Sequence, residues 1–372
     1  MQNKMENWFE VENANEINSP ALLLFPDRIK NNIILLKEMV NGDTSRLRPH
    51  AKTHKMVEVT KMLIEEGIDQ FKCSTIAEAE MLALSNAKDV LLAYQPVGPN
   101  LSRWIQLIKE YPNTHFSCLI DNEFTIHELG RLAHDNELKL YVYLDLNVGM
   151  GRTGISLEKI NDLVPVIQNY AGLVLEGLHG YDGHIHDPDI LIRQKQSDAC
   201  YKIVKDAFLL LQPQFNHSLI LVMGGSPSFS SHAKRADVVC SPGTFVFWDW
   251  GYKEKIPEQP FLIAALLLCR VISIINDTRI CVDLGYKAVA SDPPLPRVKF
   301  LNADDAVPAF QSEEHMVLDV EDSNFYPIGT VLYAIPTHIC PTVALYDRAQ
   351  VILDHQKITS WQVIARSRML NI

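Results

Sequence analysis

Apolar runs of four to nine residues alternate with amphipathic segments over the first 250 positions of the chain. The runs Arg46–Lys52, Gln70–Cys73, Val90–Tyr94, His115–Ile120, Leu138–Leu146, Leu173–Gly180, Leu219–Met223 and Val238–Ser241 are mostly rich in β-branched or other apolar residues. That is the pattern of strands buried on both faces. Between them, Ile76–Ser85, Leu101–Lys109, Glu123–His134, Leu157–Tyr170 and Ile190–Leu211 carry helical periodicity. Strand–helix alternation predicts parallel strands joined by right-handed crossovers, and eight such strands predict a closed (β/α)8 barrel. Ahead of them, Pro20–Phe25 predicts a short strand, and Pro26 opens a helix to about Met39. The texture changes after Gly251, where Tyr252–Pro260 has linker composition. Beyond it Phe261–Ile275, Arg279–Leu284, Glu314–Val320, Thr330–Ile335 and Gln350–Leu353 predict short strands of a β domain over residues 252–372.

Composition narrows the class. A net charge of −11 argues against non-specific nucleic-acid binding, which needs a basic face. The start of the chain has no apolar core of signal-peptide length, and the most apolar run, Phe261–Ile275, is interrupted by Arg270 and too short to span a bilayer. Seven scattered cysteines form no disulfide framework, which predicts a reducing, cytoplasmic setting without membrane partners.

The residues that could carry chemistry fall at the ends of predicted strands, where barrel enzymes place theirs. Arg46–Lys55 packs two histidines, His50 and His54, among four cations. A lysine so close to other cations loses part of its preference for the charged state, so Lys52 or Lys55 becomes a candidate amine nucleophile. Gly224-Gly225-Ser226 and Gly243-Thr244 follow the last two barrel strands, and glycine turns there are suited to cradling a phosphate. Arg152 lies in a glycine-rich loop after the fifth strand, and Tyr181, His184 and His186 follow the sixth. Far along the chain, His338-Ile339-Cys340 sets an imidazole and a thiol two residues apart. In extended chain both would share one face and suit zinc or another borderline metal.

The Arg48-Pro-His-Ala-Lys52-Thr-His-Lys55 segment resembles the cofactor-lysine signature of the D-threonine aldolase and D-serine dehydratase family, and Pro336-Thr-His338-Ile-Cys340-Pro-Thr-Val343 resembles its metal-binding segment. The resemblance covers Pro20 to about Asp347. It implies a pyridoxal phosphate (PLP) enzyme on an alanine-racemase-like barrel, with residues 26–251 as the barrel and 1–25 joining the β domain. Lys52 would form the Schiff base, and His50 would belong to the cofactor site. Arg152 would contact the cofactor's phenolic oxygen, Tyr181 would face the pyridine ring, and Gly224, Gly225, Ser226, Gly243 and Thr244 would hold the phosphate. His338 and Cys340 would bind a divalent metal: zinc, manganese or magnesium. Some family members carry Asp in place of Cys340. A D-3-hydroxy amino acid would be cleaved to glycine and an aldehyde, with His184 or His186 as base. The alternative outcome is dehydration to a 2-oxo acid and ammonia. The family pattern also implies a homodimer. An amino-acid racemase would need a second acid/base group and no metal, and a non-catalytic PLP carrier would lack the β domain. Asp283–Lys287 and Glu313-Glu314-His315 are further family-like segments; the first carries a structural or interface role, and none is assigned to the second.

Overall fold

The computed structural model of the chain describes residues 7–372. Two compact units divide it: one runs through Leu35 and resumes over Thr244–Arg366, and the other comprises Leu36–Gly243 with Ser367–Ile372. The sequence reading sets these divisions at 25/26 and 251/252.

The second unit is a barrel. After β1 (Ala21–Leu24), which belongs to the other unit, come β2 (Gln70–Cys73), β3 (Asp89–Leu92), β4 (His115–Ile120), β5 (Leu140–Leu146), β6 (Leu173–Gly180), β7 (Ile220–Met223) and β8 (Val238–Cys240). They form one parallel sheet in sequence order, β2 to β8. Helices occupy each crossover, and side-chain caps fix where some begin: Thr75 accepts from Glu78 N before Ile76–Leu84, and Asn122 from Thr125 N before Glu123–Asp135. Leu91, Leu119, Tyr143 and Val222 pack together as fully buried core.

The expected first strand, Arg46–Lys52, is not a strand. Residues 47–50 make single parallel bridges, Leu47 to Cys240 and His50 to Lys72, and a turn follows. Arg48 N donates to Cys240 O at 2.8 Å and His50 N to Pro242 O at 2.9 Å, while Lys72 N donates to Pro49 O at 2.9 Å and Ala51 N to Lys72 O at 2.8 Å. The segment therefore joins β8 to β2 and closes the barrel. Pro49 has no N–H to give, which keeps the ladder from becoming regular.

The first unit is a β structure. Its strands are β1, β9 (Ala265–Asn276), β10 (Arg279–Val282), β11 (Val298–Phe300), β12 (Val307–Gln311), β13 (Met316–Asp319), β14 (Val331–Pro336), β15 (Arg348–Leu353) and β16 (Gln356–Gln362). Their order is β12-β13-β10-β9-β1-β15-β16, with β14 pairing β9 and β11. β1 lies antiparallel to β9 and parallel to β15, with its four residues buried. The Asp283–Lys287 and Glu313–Glu314 segments pack on each other: Lys287 N donates to Glu313 O at 3.1 Å, and a Cβ on Gly285 would meet that oxygen at 2.0 Å. Backbone this close admits glycine alone.

Candidate active site

The turn after the closing segment positions Lys52. His50 Nδ1 accepts from Lys52 N at 3.2 Å and His54 Nδ1 from Met56 N at 3.1 Å, so both imidazoles brace backbone. Burial, reinforced by the Lys52 and Lys72 charges, holds His50 well below its ordinary pKa, and burial lowers His54 to about 3. Both are neutral near pH 7. Lys52 lines a cavity of about 420 Å³ with His50, Lys72, Arg152, His179 and Tyr181. Lys55 does not line it. Its φ of +56° turns the chain, and its ammonium pairs with the buried Glu78 carboxylate.

Three cations surround the Tyr181 ring. Lys52 Nζ lies 5.6 Å from its centroid, Lys72 Nζ 5.7 Å and the Arg152 guanidinium carbon 4.9 Å. Lys72 is fully buried, and burial, then the Lys52 charge, lowers its pKa to about 7. Its Nζ is 3.5 Å from His179 Nε2, and His179 Nδ1 is 2.7 Å from Asp145 Oδ1. Burial disfavours the Asp145 charge, yet His179 together with the Thr153 and Gln95 donors outweighs it and keeps this carboxylate below its ordinary range.

The glycine turns come together. Gly243 N donates to Ser226 Oγ at 3.2 Å and Gly225 N to Ser228 Oγ at 3.4 Å. A Cβ at Gly225 would meet Tyr181 at 3.0 Å, and one at Gly243 would meet His50 O at 3.0 Å, so both glycines permit close approach to cavity residues. Behind them Asp182, fully buried, accepts from Ser228 Oγ at 2.6 Å and His232 Nε2 at 2.7 Å. Thr244 is buried at the start of the other unit, its Oγ1 3.5 Å from Cys340 Sγ.

Cys340 does not lie in extended chain as expected. Ile339–Val343 is a short helix with His338 as its extended N-cap and Pro341 in its first turn, a position where proline favours helix. The imidazole and thiol still meet. Burial opposes a charged His338, but Cys340 and then Asp292 outweigh it and raise its pKa to about 9. His338 Nδ1 donates to Asp292 Oδ2 at 2.6 Å. Among the described residues, no group of three or more His, Cys, Asp or Glu side chains is placed to hold a metal ion.

The structure does not bring His184 and His186 into the cavity lining; both are exposed. Ile185 turns inward and is buried, which sends its two neighbours outward, and His186 Nδ1 donates to His184 O at 2.6 Å. The cavity holds His179, Asp145 and Lys72 instead, residues to which the sequence reading gives no role. A lysine inside the apolar run of β2 was the available signal.

The alanine racemase, N-terminal domain, family model matches residues 26–249, and the "Putative serine dehydratase domain" model matches 264–352. A 3-hydroxy-D-aspartate aldolase of Paracoccus denitrificans is 26% identical over 367 residues, covering 95% of this chain and 93% of its own. A D-serine dehydratase of Dictyostelium discoideum is 24% identical over 396 residues, covering 94% and 98%. The crystal structure of a D-threonine aldolase from Filomicrobium marinum superposes with a TM-score of 0.85 at 24% identity, covering 94% of this chain and 96% of that one. The fold is the alanine-racemase-like one. With more than half of its length matched by that model, the chain belongs to the alanine racemase, N-terminal domain, family.

Proposed function

We propose that this chain is a PLP- and metal-dependent lyase of D-3-hydroxy amino acids, cleaving them by retro-aldol reaction to glycine and an aldehyde. The observation that carries this is the Lys52 amine, set in a cavity where Lys72 and Arg152 also face the Tyr181 ring. Three cations against the paired carboxylate of Asp145 suit an anionic ligand, and two glycine turns that a Cβ would crowd suit its phosphate. These residues fit PLP, and enzymes of the family depend on it. When bound, PLP supplies an electron sink for bonds at the amino acid's Cα.

Lys52 offers the amine that holds the cofactor. Arg152 sits over the Tyr181 ring, where its charge favours an ionised oxygen on the ligand. The turns at Gly224–Ser226 and Gly243 would hold the phosphate, with Thr244 as a further donor. In the β unit, Asp292 accepts the His338 Nδ1 hydrogen bond, the usual arrangement of a carboxylate behind a metal-binding imidazole, and Nε2 would ligate once a metal displaces its proton. His338 and Cys340 would thus hold a divalent metal with positions left for water and substrate, and the metal would polarise the substrate hydroxyl. The thiol at Cys340 favours a second reading, dehydration to a 2-oxo acid and ammonia. The reading extends to a cytoplasmic homodimer; the exposed isoleucines Ile272, Ile274 and Ile275 of β9 offer such a dimer an apolar surface. No helix among the described residues is long and apolar enough to cross a membrane.

Product analysis with D-threonine and D-serine tests the proposal. Glycine plus acetaldehyde from D-threonine supports cleavage, and oxo acid plus ammonia supports dehydration. Absence of both from metal- and PLP-loaded protein refutes the lyase. His338→Ala should lose bound metal while keeping the absorbance band of lysine-bound PLP.

A further inference from the structure

Lys72 adds charge to the cavity, but charge alone does not require an amine inside β2, fully buried and lining that cavity. An amine buried this deeply is costly to keep there. Its surroundings are directional. The Asp145 carboxylate can only accept, so His179 Nδ1 must donate to it, and Nε2 keeps its lone pair towards Lys72, 3.5 Å away. A proton can cross that gap. The Nζ–H bond breaks, an Nε2–H bond forms, and the adjacent carboxylate balances the new imidazolium. Nothing is consumed, and Lys72 is left as a neutral amine able to take a proton from a ligand.

We infer that Lys72, His179 and Asp145 form a proton relay, with Lys72 Nζ as the atom that takes a proton from the bound amino acid and returns one to it. This rests on the lyase reading above. In cleavage, the 3-hydroxyl O–H breaks towards Nζ and the C–O bond becomes a carbonyl as Cα–Cβ breaks. The electron pair stays with Cα, which then receives the proton. In dehydration, Cα–H breaks towards Nζ, Cβ–O breaks with its electron pair, and the proton joins the departing hydroxide as water. Either way the amine is regenerated.

The charges facing Lys72 come from every wall: Lys52, His50 and Arg48 from the closing segment and its turn, Asp145 from β5, and His179 from β6. Asp182 just beyond β6 adds another, and Tyr181 and Arg152 complete the lining. Burial and Lys52 disfavour its proton, while Asp182 and Asp145 favour it. Such a balance allows an amine to exchange protons near neutral pH, where acid–base catalysis works best.

Trace acetylation of the cofactor-free protein with acetic anhydride, quantified by peptide mass spectrometry over a pH series, reads the Lys72 amine directly. Its half-reactivity point should fall near neutral pH, and lower still in Asp145→Asn, which lacks the charge that favours the proton. A half-reactivity point in the ordinary lysine range overturns the relay. In PLP-loaded protein, with the Lys52 absorbance band confirming loading, deuterium uptake at glycine Cα from heavy water should fall by about a hundredfold or more in both Lys72→Met and Lys72→Arg. Arginine keeps the charge but cannot exchange the proton, so near-wild-type uptake by Lys72→Arg also overturns it. If the wild type yields no product from D-threonine or D-serine while Lys72 still titrates near neutral and responds to Asp145→Asn, the substrate reading fails and the relay stands.

Discussion

Asp89→Ala should open the barrel where Lys52 is attached. Arg48, on the closing segment, is fully buried, and its guanidinium donates to both Asp89 oxygens at 2.5 and 2.9 Å and to Gln70 Oε1 at 2.9 Å. Burial would weaken the Arg48 charge, but Asp89 outweighs it and holds the group fully protonated. Removing one partner of a buried pair costs ~3–5 kcal/mol, because the other charge is stranded. Gln70 and the Tyr143 ring, whose centroid is 5.9 Å from the guanidinium carbon, remain as partial partners. The Asp89 side chain is 24% exposed, so water can reach the vacated place. The loss should therefore lie at the low end, about 3 kcal/mol, or roughly a hundredfold in the opening equilibrium. Hydrogen exchange of the amides that close the barrel, those of Arg48, His50, Ala51 and Lys72, reads that opening. Replacing both partners, Arg48→Met with Asp89→Leu, removes the stranded charge and should bring exchange back to within about tenfold of wild type. Unchanged exchange in Asp89→Ala, or a double variant no better than the single one, would refute the reasoning.

Lys52→Ala should abolish the absorbance band of lysine-bound PLP and Lys55→Ala should leave it, since Lys55 is committed to Glu78 outside the cavity lining; the reverse pattern reassigns the cofactor lysine. Lys72 titrates at about 7 in the folded chain against an ordinary 10.5, so the unfolded state binds more protons across that window. Wild type should then gain stability relative to Lys72→Met as pH rises from 7 towards 10, by on the order of 4 kcal/mol; denaturant midpoints check this, and a pH-independent difference contradicts it. Gly285→Ala should destabilise the β unit by about 3 kcal/mol, since its Cβ would meet Glu313 O at 2.0 Å, with a melting point equal to wild type as the contrary result.

The barrel was legible because short segments with buried apolar residues recur between helical periods, and β2, β4 and β6 begin and end where that pattern does. β16, Gln-Lys-Ile-Thr-Ser-Trp-Gln, escapes because its residues are exposed or half-buried; no burial impressed a pattern on it. β12 escapes for the same reason and carries Pro308 besides. The closing segment misleads in the opposite sense, since its register is correct while Pro49 denies it a strand's ladder. At the site, motif residues such as Lys52, Arg152 and Tyr181 stand out because polar groups interrupt strand ends. Lys72 and His179 interrupt strands too, but nothing local distinguishes a working buried amine from a tolerated one until its partners on β5 and β6 are in view.

Asp182 shows what spacing along the chain conceals. It follows Tyr181, and its carboxylate ties Ser228, 46 residues on, to His232, 50 residues on. Ser228 Oγ also receives the Gly225 amide, and a Cβ on Gly224 would strike the His232 ring at 2.7 Å. The residue beside Tyr181 therefore sets the shape of the proposed phosphate turn. Burial raises the cost of an Asp182 charge, yet the His232 and Ser228 donors outweigh it and hold this carboxylate below its ordinary range. A group so held keeps its charge at any pH at which the enzyme works, so the coupling between Tyr181 and the glycine turn is permanent. Lys72 is the opposite case, an amine balanced between opposing neighbours, and that contrast is what makes one of these buried groups scaffolding and the other a carrier of protons.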